Sequence, residues 1–375
     1  MADVKLISAD SHVTEPADLW EERLDKKFRD RAPRMVHNPE NMRPGSYLLV
    51  EGVPPIHMAQ GTGAGKKPEE LPQFFQESTY KDARPGGWDP AERIKDMDID
   101  EVEAEVIYTT LGFRLFWLTD GEFQRACFRA YNDWLAEYCS YAPNRLVGLA
   151  MITLSDIDEA VKGLRRCAGI GLRGAMIWAS PPDDIPYHDS RYDPFWAAAQ
   201  ELEMPLSLHS ITGFGPESRL MVKDPIDRYV RSTVLCHEVQ RSLTTLIFGG
   251  VMERFPDLKF VSAENEVGWL GYLLQRLDQA QDEYKYLYPT KLTMKASDYF
   301  HRQFFATFID DPMGIDQRHS IGVGNIMWSS DYPHTVSSWP NSQEVVDRHM
   351  VDVPEDEKLG IIRGNCAKLY GLDVA

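Results

Sequence analysis

The chain has 375 residues, of which 43% are hydrophobic and 11% aromatic, enough to bury a large core. Its formal charge of −18 argues against nucleic acid or an anionic membrane surface as a partner. Five scattered cysteines without a Cys-x-x-Cys pair are typical of reduced thiols, and no apolar run approaches the length of a membrane span. We therefore expect a cytoplasmic protein that binds neither nucleic acid nor membrane.

The first predicted element is a short buried strand at residues 4–9, which leads into Asp10, Ser11 and His12. Side chains two positions apart on a strand point the same way, so Asp10 and His12 are expected to converge at its C-terminal end. An oxygen ligand beside a nitrogen ligand suits zinc or manganese. The same stretch is equally compatible with a strand end that carries one hydrogen-bonded histidine and a helix cap.

Residues 17–88 are rich in proline, glycine and charge. This composition predicts a long insertion with a short hairpin at residues 47–50 and 56–58. We expect it to cover the mouth of the barrel that the following elements predict. Residues 61–67 resemble a phosphate-binding loop, but no Ser or Thr follows the lysine and no strand precedes the glycines. We therefore predict a flexible loop there.

From residue 90 onward, predicted helices and strands alternate in a regular way. With the N-terminal strand there are eight strands, mostly separated by helices, which is the (β/α)₈ pattern. We predict one α/β domain over residues 1–375, a (β/α)₈ TIM barrel with a long N-terminal insertion after strand 1. The later strands are predicted at residues 105–109, 145–152, 172–178, 205–209, 259–264, 303–308 and 325–330. The main helices are predicted at residues 90–98, 121–140, 156–168, 193–202, 225–255, 268–283 and 342–370.

Side chains that can bind a metal stand at four of these strand ends. Asp10 and His12 follow the first strand, His209 ends the fifth, Glu264 ends the sixth and Asp331 follows the eighth. Because chemistry in such barrels sits at the C-terminal strand ends, we expect a shared metal site there. Two imidazoles and two carboxylates, from positions 10, 12, 209 and 331, would leave room for water.

Several motifs together point to a family. They are Ala9-Asp-Ser-His-Val-Thr-Glu-Pro16, Asp189-Ser-Arg-Tyr-Asp-Pro-Phe-Trp196, Pro205-Leu-Ser-Leu-His209, Phe248-Gly-Gly-Val-Met-Glu-Arg-Phe-Pro-Asp-Leu-Lys259 and Ser330-Asp-Tyr-Pro-His334. The sequence resembles the amidohydrolase superfamily, in the branch of aminocarboxymuconate-semialdehyde decarboxylase and related aromatic-acid decarboxylases and hydrolases. The resemblance implies one divalent metal ion, Zn²⁺ or Mn²⁺, held by Asp10, His12, His209 and Asp331.

Two positions depart from the usual pattern of that family. The first motif often carries His-x-His or Glu-x-His in that family. Here its first position is Asp10, whose carboxylate is a hard ligand and slightly favours manganese. Glu264 occupies the place of a histidine that assists catalysis in the family, so the usual decarboxylase machinery is altered. The fourth strand has no lysine that could be carbamylated to bridge two metals, which implies a mononuclear site.

The expected chemistry begins from metal-bound water, whose pKa is lowered toward neutrality. Glu264, His237 and Asp331 are the candidates for moving the proton, although His237 also fits a helix-face residue packed against the barrel. The leading hypothesis is a metal-dependent hydrolase of a small aromatic or cyclic carbonyl compound. The alternative is a non-oxidative decarboxylase of an aromatic acid, and the third hypothesis is a binding protein with a vestigial site.

The loop after the second strand is aromatic and carries one arginine, which predicts a pocket for a planar ligand with an anionic group. Packing of this loop against the insertion is the alternative, and a loop-stabilising role is the alternative for His334. Residues expected to contact the substrate are Phe113, Arg114, Trp117, Trp178, His334 and Trp339.

Two further expectations concern partners. Arg219 and Arg228, near the end of the fifth strand, are alternative partners for an anionic group, but solvated positions are the favoured interpretation of both. A homodimer is expected because apolar loops surround the barrel mouth and barrels of this family commonly pair.

Overall fold

The computed structural model describes residues 4–214 and 224–373 of the chain. Eight parallel strands follow one another around a barrel, and three antiparallel strands form a separate small sheet. In chain order the strands are β1 (Leu6–His12), β2 (Arg34–His37), β3 (Ser46–Val50), β4 (Val53–His57), β5 (Val102–Tyr108), β6 (Leu146–Met151), β7 (Gly174–Ile177), β8 (Leu206–His209), β9 (Phe260–Ala263), β10 (Phe304–Phe308) and β11 (Ile326–Trp328).

Helices connect most of the barrel strands, and none in the described ranges is long and apolar enough to cross a membrane. In chain order they are α1 (Leu19–Arg23), α2 (Leu71–Glu77), α3 (Pro90–Ile99), α4 (Gly121–Cys139), α5 (Ile157–Gly169), α6 (Asp193–Glu201), α7 (Pro225–Val234), α8 (Cys236–Phe248), α9 (Val251–Arg254), α10 (Leu270–Tyr284), α11 (Ala296–Gln303), α12 (Pro312–Asp316), α13 (Arg318–Ile321), α14 (Ser342–His349), α15 (Glu355–Leu359) and α16 (Asn365–Tyr370).

The predicted (β/α)₈ barrel is confirmed. Its strands are arranged in the order β1, β5, β6, β7, β8, β9, β10, β11. The barrel closes between β11 and β1 through two backbone hydrogen bonds beyond the end of β11. The N–H of Asp331 donates to the carbonyl of Asp10 at 2.9 Å, and the N–H of His12 donates to the carbonyl of Tyr332 at 2.6 Å.

Strand β1 extends further than predicted. It runs to His12 with all seven residues buried, whereas the sequence pattern predicts an end at residue 9. The polar end stays within the sheet because His12 pairs with Tyr108 on β5, after an irregularity in the strand register. The sheet itself, rather than a loop, therefore holds Asp10 and His12.

The helical region predicted at residues 225–255 consists of three helices. Helix α8 ends at Phe248 and α9 begins at Val251. Gly250 between them has a φ of 73°, in the left-handed region that glycine adopts without a steric penalty. The helix break thus depends on a glycine within the segment that supports the family resemblance.

The insertion contains the predicted hairpin and one strand more. Strands β3 and β4 pair antiparallel, and β2 adds to the other edge of β3. The sequence pattern did not reveal β2 because both of its ends are exposed and it has only four residues. Strand β4 packs against the 3₁₀ helix Leu111–Trp117, which follows β5, so the insertion lies over the C-terminal end of the barrel.

The glycine-rich run at residues 61–67 contains packed positions, contrary to the predicted flexible loop. The N–H of Ala64 donates to the carbonyl of Pro333 at 3.0 Å. A Cβ added at Gly61 would lie 2.1 Å from Cγ2 of Thr110. The glycine is therefore needed for the close approach of the insertion to the barrel loops.

A buried arginine joins the strand ends below the barrel mouth. Arg93 on α3 is fully buried, and its guanidinium donates to the carboxylate of Glu105 on β5. It also donates to the carbonyl of His12 at 2.7 Å and lies 4.4 Å from the ring centroid of Tyr332. One side chain thus contacts β1, β5 and the segment after β11.

Replacing Arg93 with methionine leaves the carboxylate of Glu105 buried without its partner. We expect Arg93→Met to lower the free energy of unfolding by about 3–5 kcal/mol, measured by equilibrium urea denaturation. Arg165→Met is the matched control, because Arg165 forms an exposed ion pair with Glu201, and its cost is expected to stay below about 1 kcal/mol. Equal losses in the two variants would contradict the anchoring role of Arg93.

Candidate metal centre

Five side chains converge at the C-terminal end of the barrel, carried by β1, β8 and the residues that follow β9 and β11. Nε2 of His12 lies 3.2 Å from Oδ1 of Asp10 and 3.0 Å from Oδ1 of Asp331. Nε2 of His209 lies 3.6 Å from Oδ1 of Asp10 and 3.3 Å from Oε2 of Glu264. The structure thus brings together the four residues expected to bind metal, and adds Glu264 beside them.

The facing atoms of this cluster lack hydrogen-bond partners within the described part of the chain. Buried polar atoms are rarely left so, and oxygen and nitrogen atoms this close together suit a divalent cation. Two overlapping groups, one with His334, each have possible ligand atoms within 4.8 Å of one another. The residues therefore fit a metal ion. The unpartnered atoms are Oδ1 of Asp10, Nε2 of His12, Nε2 of His209, Oε2 of Glu264 and both carboxylate oxygens of Asp331.

Backbone carbonyls orient the two histidines. Nδ1 of His12 lies 2.8 Å from the carbonyl of Thr109, and Nδ1 of His209 lies 3.1 Å from the carbonyl of Ser210. A carbonyl only accepts, so each Nδ1 carries the hydrogen and donates it. In the neutral ring, Nε2 then presents its lone pair to the cluster, the usual arrangement of a metal-binding histidine.

The electrostatics of the cluster favour bound positive charge. Burial lowers the pKa of His12, but Asp10 and Asp331 together raise it well above its ordinary value. Burial raises the pKa of Asp331, but His334 and His12 outweigh this effect and hold it below its ordinary value. Two buried carboxylates thus require a cation nearby, either as a protonated imidazole or as a metal ion.

Two residues of the cluster have an unusual backbone conformation. Glu264 and Asp331 each have a φ of 55°, in the left-handed region that residues with a Cβ rarely adopt. Such conformations concentrate at functional sites, where the surrounding structure maintains them.

His334 and Phe113 form two walls of the site. The ring of His334 stacks on that of His12 with centroids 3.9 Å apart, and its Nδ1 lies 3.0 Å from Oδ1 of Asp331. The ring centroid of Phe113 lies 4.5 Å from that of His209 and 5.5 Å from that of His12. Two of the six residues predicted to contact substrate, Phe113 and His334, therefore lie beside the cluster.

A buried carboxylate that the sequence analysis missed holds the loop with Phe113. Glu15 accepts hydrogen bonds from the N–H groups of Thr110, Leu111 and Gly112 at 3.2, 2.9 and 3.0 Å. These donors lie at the start of the 3₁₀ helix Leu111–Trp117, whose first N–H groups otherwise lack partners. The only signal for this role was the place of Glu15 in the first motif.

Arg114 and Trp117 lie together on the same loop. The guanidinium of Arg114 is 4.0 Å from the ring centroid of Trp117, whose Nε1 donates to the carbonyl of Ile211 at 3.1 Å. Burial, and then the charge of Arg231, lower the pKa of Arg114 to about 9. Arg114 and Arg231 are thus close enough for their charges to act on one another.

Packing contacts are seen for the two remaining tryptophans that were predicted to contact substrate. Trp178, just after β7, is buried with its ring 5.2 Å from that of Phe214. Nε1 of Trp339 donates to the carbonyl of Asp96 at 3.0 Å, and Arg84 of the insertion lies 4.1 Å from its ring. Trp339 thus packs against the insertion, and its contact with substrate stays a prediction.

The structure does not place His237 at the cluster. Helix α8 begins at Cys236 and leaves His237 exposed, where it lines a groove of about 650 Å³ with Pro182 and Tyr187. The expected proton-transfer role of His237 is therefore corrected, because the rotation of the helix turns this side chain away from the metal ligands. Arg219 lies outside the described residues.

A family model described as Amidohydrolase matches residues 9–372. The gamma-resorcylate decarboxylase of Rhodococcus jostii (strain RHA1) is 29% identical over 65% of this chain and 76% of that protein. The 2-amino-3-carboxymuconate-6-semialdehyde decarboxylase of Dictyostelium discoideum is 22% identical over 76% of this chain and 77% of that protein.

Solved structures share the fold. The dihydroxybenzoic acid decarboxylase of Polaromonas sp. JS666, with bound manganese and the inhibitor 2-nitroresorcinol, superposes with a TM-score of 0.67 at 19% identity. The match covers 99% of this chain and 98% of that one.

Loss of any one ligand should release the metal. We expect Asp10→Ala, His12→Ala, His209→Ala and Asp331→Ala to lose bound metal in elemental analysis while circular dichroism still reports a folded barrel. His237→Ala is the matched control and should retain the metal, since His237 lies apart from the cluster. Full metal content in any two of the four ligand variants would contradict the assignment.

Proposed function

The chain belongs to the amidohydrolase family, and from this premise we propose that it is a metal-dependent decarboxylase of a hydroxylated aromatic acid. The observation that carries the proposal is the set of unpartnered carboxylate and imidazole atoms beside the aromatic wall of Phe113. The decarboxylase relatives favour this alternative over the hydrolase first expected from the sequence.

We assign the metal to Asp10, His12, His209 and Asp331. When bound, the metal supplies a Lewis acid that orients the substrate's carboxylate and an adjacent hydroxyl. The high share of carboxylate ligands and the manganese in the Polaromonas structure support Mn²⁺, with Zn²⁺ as the alternative.

The walls of the site suit a planar ring. Phe113 offers an apolar face directly beside the rings of the two metal-binding histidines. Arg114 and Arg231 supply positive charge near the same region, which compensates the negative charge of an acid substrate. His334, stacked on His12, limits the other side of the site.

Decarboxylation breaks the bond between the ring carbon and the carboxylate carbon. The bonding electrons stay on the ring carbon, so one proton must reach that carbon when CO₂ leaves. The side chain of Glu264 is 23% exposed, whereas those of Asp10 and Asp331 are 1% and 0% exposed. Glu264 thus faces both the cluster and the open mouth, and we assign it the delivery of this proton.

The products distinguish decarboxylation from hydrolysis. We expect the metal-loaded enzyme to convert 2,6-dihydroxybenzoate, or another member of a panel of hydroxylated benzoic acids that includes 5-carboxyvanillate, to CO₂ and the corresponding phenol. In D₂O the carbon that lost the carboxylate should carry deuterium, which NMR detects. Asp331→Ala serves as the metal-free control. Incorporation of oxygen from H₂¹⁸O into the organic product without CO₂ release would indicate hydrolysis and overturn the proposal.

Glu264→Gln keeps the shape of the side chain but removes its acid–base function. We expect it to retain metal and fold and to lose at least ~10²-fold in kcat, the usual scale for a positioned acid–base group. Glu283→Gln, an exposed position on α10, is the matched control and should leave kcat unchanged. Loss of metal would make Glu264 a ligand instead, and unchanged metal and kcat would make it structural.

Three sequence-based expectations stay predictions. They are a single domain over residues 1–375, a homodimer and a cytoplasmic location.

A further inference from the structure

We propose that a second binding site, an entrance subsite for the aromatic carboxylate, lies between the insertion and α7. It rests on the proposed function, since its ligand is the same acid that the metal centre would decarboxylate. A cavity of about 390 Å³ lies there, within the size range of small-molecule sites. Its lining includes Arg43, Tyr47, His57, Phe75 and Arg228.

The charge of the cavity suits an anion. Two arginines line it, and none of the other described residues that line it is an aspartate or glutamate. Among the described residues, neither Arg43 nor Arg228 has a carboxylate partner or a hydrogen bond. The chain has a formal charge of −18, so its overall electrostatic potential is negative. Two such guanidinium groups beside one cavity make that region locally positive. A carboxylate is the small group that a guanidinium binds with paired hydrogen bonds.

The walls of the cavity suit an aromatic ring. The rings of Tyr47 and His57 meet edge to face with centroids 4.7 Å apart, and Phe75 adds a third ring. Nδ1 of His57 accepts from the N–H of Ala59 at 3.2 Å, so the imidazole is neutral with its hydrogen on Nε2, which lies 3.3 Å from the carbonyl of Pro44. His57 therefore acts as an aromatic surface, and the positive charge comes from the arginines.

Two arginines of α7 relate the cavity to the candidate metal centre, since Arg228 lines the cavity and Arg231 is near Glu264. Arg228 and Arg231 are three residues apart, so they lie on the same side of the helix. Arg231 is close enough to Glu264 and to Arg114 for their charges to act on one another. Arg228 at the cavity and Arg231 near Glu264 are thus about one helical turn apart.

This arrangement assigns the subsite a role in capture rather than in chemistry. An aromatic acid held at Arg43 and Arg228 is concentrated near the mouth before it reaches the metal ligands. Capture acts on kcat/KM and weakens with ionic strength, whereas the chemical step, and so kcat when chemistry limits it, is unaffected.

The first test uses the holoenzyme and the double variant Arg43→Gln/Arg228→Gln. We expect kcat/KM for the aromatic acid to fall about tenfold at low ionic strength, with kcat unchanged and the difference shrinking as salt is added. Arg129→Gln/Arg276→Gln removes the same charge from exposed positions elsewhere and is the matched control. Equal kinetics in the two double variants would overturn the subsite.

The second test measures binding with turnover suppressed, by isothermal titration of the metal-loaded Glu264→Gln protein with 2,6-dihydroxybenzoate and with neutral resorcinol, and each further change is made in that background. The Arg43→Gln/Arg228→Gln variant should bind 2,6-dihydroxybenzoate more weakly and resorcinol as before. Phe75→Ala keeps the charge but removes one aromatic wall, and it should weaken binding of the acid as well.

The outcomes separate this proposal from the proposed function. Weaker binding in both variants without CO₂ release from any acid would support the subsite and refute the decarboxylase. An effect of the arginine variant alone, with binding unchanged by Phe75→Ala, would leave only long-range attraction and overturn the subsite. CO₂ release with unchanged binding in both variants would refute the subsite and leave the decarboxylase standing.

Discussion

The seam between β1 and β11 is the constraint on which both the barrel and its candidate site depend. The backbone hydrogen bonds that close the barrel belong to Asp10, His12 and Asp331, which are themselves the expected ligands. Below them, Oγ of Ser8 accepts from the N–H of Ser330 at 2.9 Å, within a buried polar network that also includes Arg93. The positions of the ligands are therefore as well determined as the closure of the sheet, because the same backbone atoms set both.

Fixed charge differs between three groups of residues in and around the barrel. The first is the ion pair of Arg93 and Glu105, in which each buried charge has a partner. The carboxylates of Asp10 and Asp331 lie beside the imidazoles of His12, His209 and His334. This concentration of buried negative charge requires a cation. Glu264 stands at the open side of this cluster, and the arginines of α7 are the third group. The ion pair of Arg93 and Glu105 is thus neutral overall, the cluster carboxylates are negative and the arginines of α7 are positive. This distribution of charge suits an acid substrate that approaches a metal ion.

The sequence predicts those features that follow from local periodicity or from strand order. The barrel and the convergence of Asp10, His12, His209 and Asp331 at one end of it belong to this class, because strand ends of one barrel must share one face. Features that depend on how a remote segment packs escaped prediction. The anchoring by Glu15, the burial of Arg93 and the packing of Gly61 each involve partners distant in sequence, and the rotation of α8 that exposes His237 is set by tertiary packing rather than by its own pattern.

The expected ligands come from the first and last strands of the barrel as well as from its middle, and this has a consequence for how the protein matures. Ser11 and Ser330, which flank the ligands and whose hydroxyls meet at 3.1 Å, are 319 positions apart in the sequence. Contacts of such long range form late, since the loop that they close must be ordered first. A ribosome-bound chain that ends before residue 331 has only part of the expected ligand set, so a complete site exists only after synthesis has passed that residue. Metal acquisition would then follow the synthesis of the last barrel strand.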